Sequence, residues 1–65
     1  DYRKAKEYYK NYLEREEEDD VYWLTAYKLA KLSSMLGDTQ TLNLVVKKAE
    51  KANNIVSRVI VALWR

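Results

Sequence analysis

The fold of this chain is decided at residues 34–49, which read SMLGDTQTLNLVVKKA. Gly37 is the only glycine among 65 residues and proline is absent, so this stretch contains the one strong helix breaker in the sequence. Glycine adopts the left-handed conformation that ends a helix without a steric penalty, and an aspartate after it can accept hydrogen bonds from the free amides of a new helix. The sequence therefore predicts one helix that ends at Leu36 and another that begins after Asp38.

The segment after Asp38 shows the clearest periodicity in the chain. Apolar residues recur there at a spacing of three or four, which places them on one face of a helix. The series comprises Leu42, Val45, Ala49, Ala52, Val56, Val59 and Leu63. Because the spacing never breaks, we expect one continuous helix over roughly 39–64.

Two helices are predicted before Gly37, over roughly 2–17 and 20–36. Asp19 or Asp20 can cap the second, and the surrounding acidic run favours the positive N-terminal end of that helix. That run contains no obligatory breaker, so residues 17–20 either form a loop or continue a helix. The predicted fold is all-α, a single domain over 1–65 that forms a compact three-helix bundle; the alternative is a long helical hairpin that dimerises.

The composition argues against catalysis and against cofactors. Histidine and cysteine are both absent, which removes the commonest general base, the commonest metal ligands and any disulfide. The acidic run lacks the glycine-containing bend of a calcium loop, and the formal charge of +2 is small for nucleic-acid binding. No apolar run is long enough to span a bilayer. We therefore expect a soluble chain with no enzyme activity, cofactor, metal, nucleic acid or membrane anchor, and the sequence does not indicate a cellular location.

The second and third helices carry more apolar residues than a simple bundle needs. On the predicted second helix, one side forms an ordinary core stripe, whereas the opposite side combines aromatic and aliphatic residues with lysines. Trp and Tyr are over-represented at binding hot spots, so this surplus predicts a protein-binding surface, although some aromatics could simply shield the rim of a small core. The predicted contact residues are Trp23, Leu24, Tyr27, Lys31, Met35, Leu44, Ile55 and Trp64. The tyrosines of the first helix are interpreted as core and rim packing; they are Tyr2, Tyr8, Tyr9 and Tyr12.

The chain as a whole resembles the class of computationally designed three-helix mini-binders. The resemblance rests on the length, the absence of cysteine and histidine, the short connections and the surplus of apolar residues on an outer face. It implies a monomer that occupies a hydrophobic groove on a target protein, such as a receptor ectodomain or a viral surface glycoprotein, and blocks that surface. The alternative is a self-associating structural bundle in which the apolar surplus, especially Val59 to Trp64, closes a homo-oligomer.

Overall fold

The computed structural model describes residues 1–65 and contains four helices and no strand. They are α1 (Tyr2–Arg15), α2 (Asp20–Leu36), α3 (Thr39–Lys51) and α4 (Ile55–Trp64). The predicted all-helical class is confirmed. The predicted three-helix bundle is wrong, because residues 39–64 form two helices separated by a corner at residues 52–54.

The corner before α4 is made by asparagine side-chain chemistry. The Asn54 side-chain oxygen accepts a hydrogen bond from the Ser57 backbone amide at 2.8 Å. In return, the Asn54 backbone amide donates to Ser57 Oγ at 3.1 Å. This reciprocal pair satisfies amides that the first turn of a helix leaves free. Asparagine also has low helix propensity because it competes for backbone hydrogen bonds. Asn54 therefore starts a new helix shortly after α3 ends at Lys51, although the apolar spacing runs through this point without interruption.

The other helix boundaries lie close to where the sequence places them. Gly37 has φ 73° in the left-handed region, and the Asp38 amide donates to the Ser33 carbonyl at 2.8 Å, as in a Schellman motif. The Asp38 side chain then accepts from the Thr41 amide at 3.1 Å. At the acidic run, Asp19 accepts from the Tyr22 amide at 2.9 Å and caps α2. Residues 16–19 are not helical, so the continuous helix over 2–36 does not form.

Helix α2 is the centre of the molecule. It packs against α1, α3 and α4, and α3 also packs against α4, whereas the backbone of α1 approaches neither α3 nor α4. The core draws one residue from α1, five from α2, three from α3 and one from α4: Leu13, Tyr22, Trp23, Ala26, Leu29, Ala30, Val45, Val46, Ala49 and Ile60. The Cα envelope measures 31 × 24 × 14 Å. A molecule this thin leaves much of each outer helix uncovered.

One charged contact ties α1 to the start of α3. Lys6 Nζ lies 2.8 Å from Asp38 Oδ2, and Thr41 Oγ1 donates to the same carboxylate at 2.7 Å. The hydrogen bond from Lys6, followed by those from Thr41, holds the pKa of the Asp38 carboxyl far below its ordinary value of 3.8. The carboxylate thus joins α1 to α3 and caps α3 at the same time.

Acid should weaken the fold through Asp38. Because its pKa is lower in the folded chain than in the unfolded chain, its stabilisation is complete above pH 3.8 and is lost as the pH falls below that value. Thermal melts between about pH 2 and pH 7 should show a falling midpoint at the acid end. Asp38→Asn should lower the midpoint at neutral pH and reduce the acid-induced fall. Asp20→Asn is the control, since that carboxylate is exposed and unpaired; equal acid dependence in both variants would contradict the assignment.

Candidate functional site

Trp23 does not lie on the surface that the sequence analysis assigned to it. Only 5% of the residue is exposed, and its ring meets Tyr22 edge-on at a centroid distance of 5.1 Å. The reason is the corner before α4, which turns that helix back onto α2 and covers this side. Trp23 is therefore a core residue, and the prediction that it projects outward is wrong.

Tyr27 and Trp64 are brought together, although they are 37 residues apart. Their ring centroids are 5.5 Å apart, and both residues are half-buried beside the core. Tilted aromatic pairs at this distance add stability beyond the area that they bury. This contact holds the end of α4 against the middle of α2. Both side chains therefore contribute more to packing than to the exposed surface.

The other five predicted contact residues are exposed but lie on separate parts of the surface. Lys31 and Met35 line a groove between α1 and α2, while Leu44 lines a second groove between α1 and α3. Ile55 is 79% exposed at the start of α4. Leu24 is 53% exposed on α2 and follows the spacing of Lys31 and Met35 along that helix. The structure therefore brings together only part of the predicted site.

The groove between α1 and α2, called here the α1–α2 groove, encloses about 250 Å³. Leu32 is its buried floor, and Tyr2 and Met35 stand beside it with 62% and 61% of their surface exposed. Its lining consists of Tyr2, Ala5, Tyr9, Lys28, Lys31, Leu32 and Met35. Leu24 is exposed on the same side of α2, beyond Lys28 and Lys31. Both walls belong to helices, so the groove is preformed.

Of the four tyrosines of α1, Tyr9 and Tyr12 pack half-buried against the core, as the sequence predicts, whereas the other two are surface residues. Leu13 is the only buried residue of α1, whereas Tyr2 and Tyr8 are each 62% exposed. Tyr8 also meets Tyr9 edge-on at 5.9 Å, which orders both rings. A signal was present in the sequence: α1 contains no large aliphatic residue except Leu13, and tyrosine suits an interface better than a small core because its hydroxyl needs a partner.

The α2 side of the α1–α2 groove is positively charged. Lys28 and Lys31 are both exposed, and neither is in an ion pair. Farther along α1, partial burial, together with the negative charges of Asp19 and Glu16, raises the pKa of Tyr12. The groove thus offers apolar rings on one side and free ammonium groups on the other.

The remaining features carry no visible chemistry. No group of three acidic side chains is arranged to hold a metal ion. None of the four helices combines the length and apolar character required to cross a membrane. Comparison with protein-family models, with curated proteins and with solved structures finds no match. Function is therefore inferred from the surface of this chain alone.

Proposed function

We propose that the chain is a protein-binding module that uses the α1–α2 groove and the neighbouring Leu24 as its contact surface. The observation that carries this proposal is the exposure of Tyr2 and Met35 beside a groove whose floor is already apolar, with Leu24 exposed farther along α2. A contiguous exposed apolar patch is unusual on a monomer and is typical of interaction sites.

The residue types in this groove fit protein recognition. Tyrosine supplies a large contact area with few rotatable bonds, and methionine adapts to irregular partner surfaces. Lys28 and Lys31 border the apolar centre on the α2 side with solvated charge, as in the polar rim of an interface. Leu24 and Met35 would enter a hydrophobic depression on the target, and the α1–α2 groove would accept a target side chain in return.

The resemblance to designed mini-binders makes this proposal more specific about origin and target. In that form the chain is a designed inhibitor, and its target is an ectodomain of a receptor or a viral surface glycoprotein. Binding blocks the surface that the target uses for its own partner. The rigid helical walls support such a role, because a preformed surface loses little conformational entropy on binding.

Self-association is the second candidate, and a different surface favours it. Ile55, Val59 and Leu63 are exposed and spaced along one face of α4, so that they form an apolar strip. A second copy could cover that strip. The strip is short, however, and a stable interface buries about 800 Å² on each partner. We therefore rank self-association below recognition of a foreign protein.

Paired surface variants test both candidates. Tyr2→Ser with Met35→Ser removes apolar contact from the α1–α2 groove, and Ile55→Ser with Leu63→Ser removes a comparable amount from α4. Against a panel of folded receptor ectodomains and viral glycoproteins, measured by biolayer interferometry, we expect the groove variant to lose at least about tenfold in affinity for any ectodomain that binds. The α4 variant should bind like the parent chain.

Sedimentation equilibrium across a concentration series provides the second measurement. The proposal expects a monomer for the parent chain and for both variants. A concentration-dependent oligomer that the α4 variant abolishes would instead establish self-association. Loss of ectodomain binding in the α4 variant alone would show that the contact surface lies on α4 and not on α1 and α2.

A further inference from the structure

A second and larger groove lies between α1 and α3 and shares no lining residue with the α1–α2 groove. It encloses about 460 Å³, within the range of about 300–1,000 Å³ that is typical of small-molecule sites. Its lining consists of Lys10, Leu13, Glu14, Leu29, Thr41, Leu44, Val45 and Lys48. We call it the α1–α3 groove.

The α1–α3 groove exists because the two helices that form its walls do not meet. Both pack on α2, but their backbones do not approach each other. The Lys6–Asp38 ion pair bridges the gap at the end where α3 begins. Farther along, the gap has no such bridge, and Leu29 of α2 becomes its floor.

The interior of the α1–α3 groove is apolar. Leu13, Leu29 and Val45 are all core residues that line it, and Leu44 is half exposed on the α3 wall. Thr41 is the one polar residue among the buried residues of the lining, and its hydroxyl donates a hydrogen bond to Asp38. An apolar chain could therefore occupy the groove without leaving a buried donor unpaired.

The charges of the α1–α3 groove lie on both of its walls. Lys10 stands on α1 and Lys48 on α3, and neither ammonium is in an ion pair. Glu14 also lines the groove and opposes them, which leaves one net positive charge. A ligand that fits needs an apolar body and a single negative head group.

We propose that the α1–α3 groove binds a medium-chain fatty acid. The acyl chain lies on Leu13, Leu29 and Val45, and the carboxylate lies between the ammonium groups of Lys10 and Lys48. Glu14 weakens this binding because its carboxylate repels that of the ligand. The site is independent of the proposed protein contact, so either proposal can fail while the other stands.

Sodium decanoate, kept below its micelle concentration, is the probe, and amide chemical shifts of the labelled full chain report its binding. We expect shifts that saturate at one decanoate per chain and centre on residues 10–14 and 41–48. Lys48→Gln should weaken the affinity about threefold, and Glu14→Gln should strengthen it by a similar factor, as expected for exposed charges. Lys47→Gln is the matched control, because this neighbouring lysine does not line the groove, and it should change nothing.

Two results would overturn the fatty-acid site. Shifts that do not saturate, or that centre on the apolar strip of α4, would show non-specific adsorption to exposed apolar residues. Identical affinities for the parent chain, Lys48→Gln and Glu14→Gln would show that no carboxylate lies between the lysines. All three substituted residues are exposed, and circular dichroism should show an unchanged helix content for each variant.

Discussion

Replacing Trp23 by alanine is expected to lower the free energy of unfolding by about 3–5 kcal/mol, the usual range for a buried aromatic residue. Trp23 is 5% exposed and belongs to the hydrophobic core cluster, which includes residues of all four helices. A single core in a chain of this size supplies only about 3–5 kcal/mol of net stability, so Trp23→Ala should be largely unfolded without denaturant. Circular dichroism and chemical denaturation measure this directly.

Leu24→Ala is the matched control for Trp23→Ala. The two residues are adjacent on α2, but Leu24 is 53% exposed, and its truncation should change the stability by about 0.5 kcal/mol or less. Trp23→Phe retains part of the buried volume and should give an intermediate loss of stability. It can be measured in place of Trp23→Ala if that variant is fully unfolded. If both alanine variants were equally stable, α4 would not cover Trp23, and the arrangement of helices described here would be incorrect.

Replacing Ile60 by alanine is expected to cost about 2–5 kcal/mol, the range for a buried aliphatic residue that leaves a cavity. Ile60 is fully buried and is the only residue of α4 in the core cluster. Its truncation should therefore loosen α4 from both α2 and α3. Denaturant unfolding should show a lower midpoint, and the Tyr27–Trp64 pair should become more exposed to quenchers of tryptophan fluorescence.

Leu63→Ala is the control for Ile60→Ala. The predicted periodic series includes Leu63 and omits Ile60, whereas the structure shows Leu63 to be 57% exposed and Ile60 to be buried. We expect Leu63→Ala to have a small effect. A large loss for Leu63→Ala with a small loss for Ile60→Ala would support a continuous third helix and would remove the corner at residues 52–54.

These two comparisons also bear on function. If α4 is docked as described, Trp23 is unavailable to any partner, and a loss of binding in Trp23→Ala would reflect unfolding. Of the eight predicted contact residues, five then remain exposed, and the proposed contact surface uses three of them: Leu24, Lys31 and Met35. Contact through Lys31 and Met35 stays a prediction until a partner is measured against the paired surface variants.

Local side-chain chemistry allowed the sequence to predict most helix ends. The helical class, the stop at Gly37 and the cap at Asp38 all follow from interactions between residues that are no more than five positions apart. Such signals need no tertiary contact, so they can be recognised in the sequence. The exposure of Leu24, Met35, Leu44 and Ile55 was also expected from their positions on the helices.

The tertiary structure decided the position of α4 and everything that depends on it. A spacing of three or four residues runs from Ala49 through Val56 to Leu63, and nothing in that pattern reveals that the capping pair at Asn54 turns the chain. Once it turns, Ile60 rather than Val59 faces the core, and Trp23 becomes buried. Whether a side chain is buried depends on the residues that pack against it. Here those residues belong to α4, more than 30 positions away from Trp23 in the sequence. The same reason explains Tyr2 and Tyr8 of α1, which stay exposed because neither α3 nor α4 packs against α1.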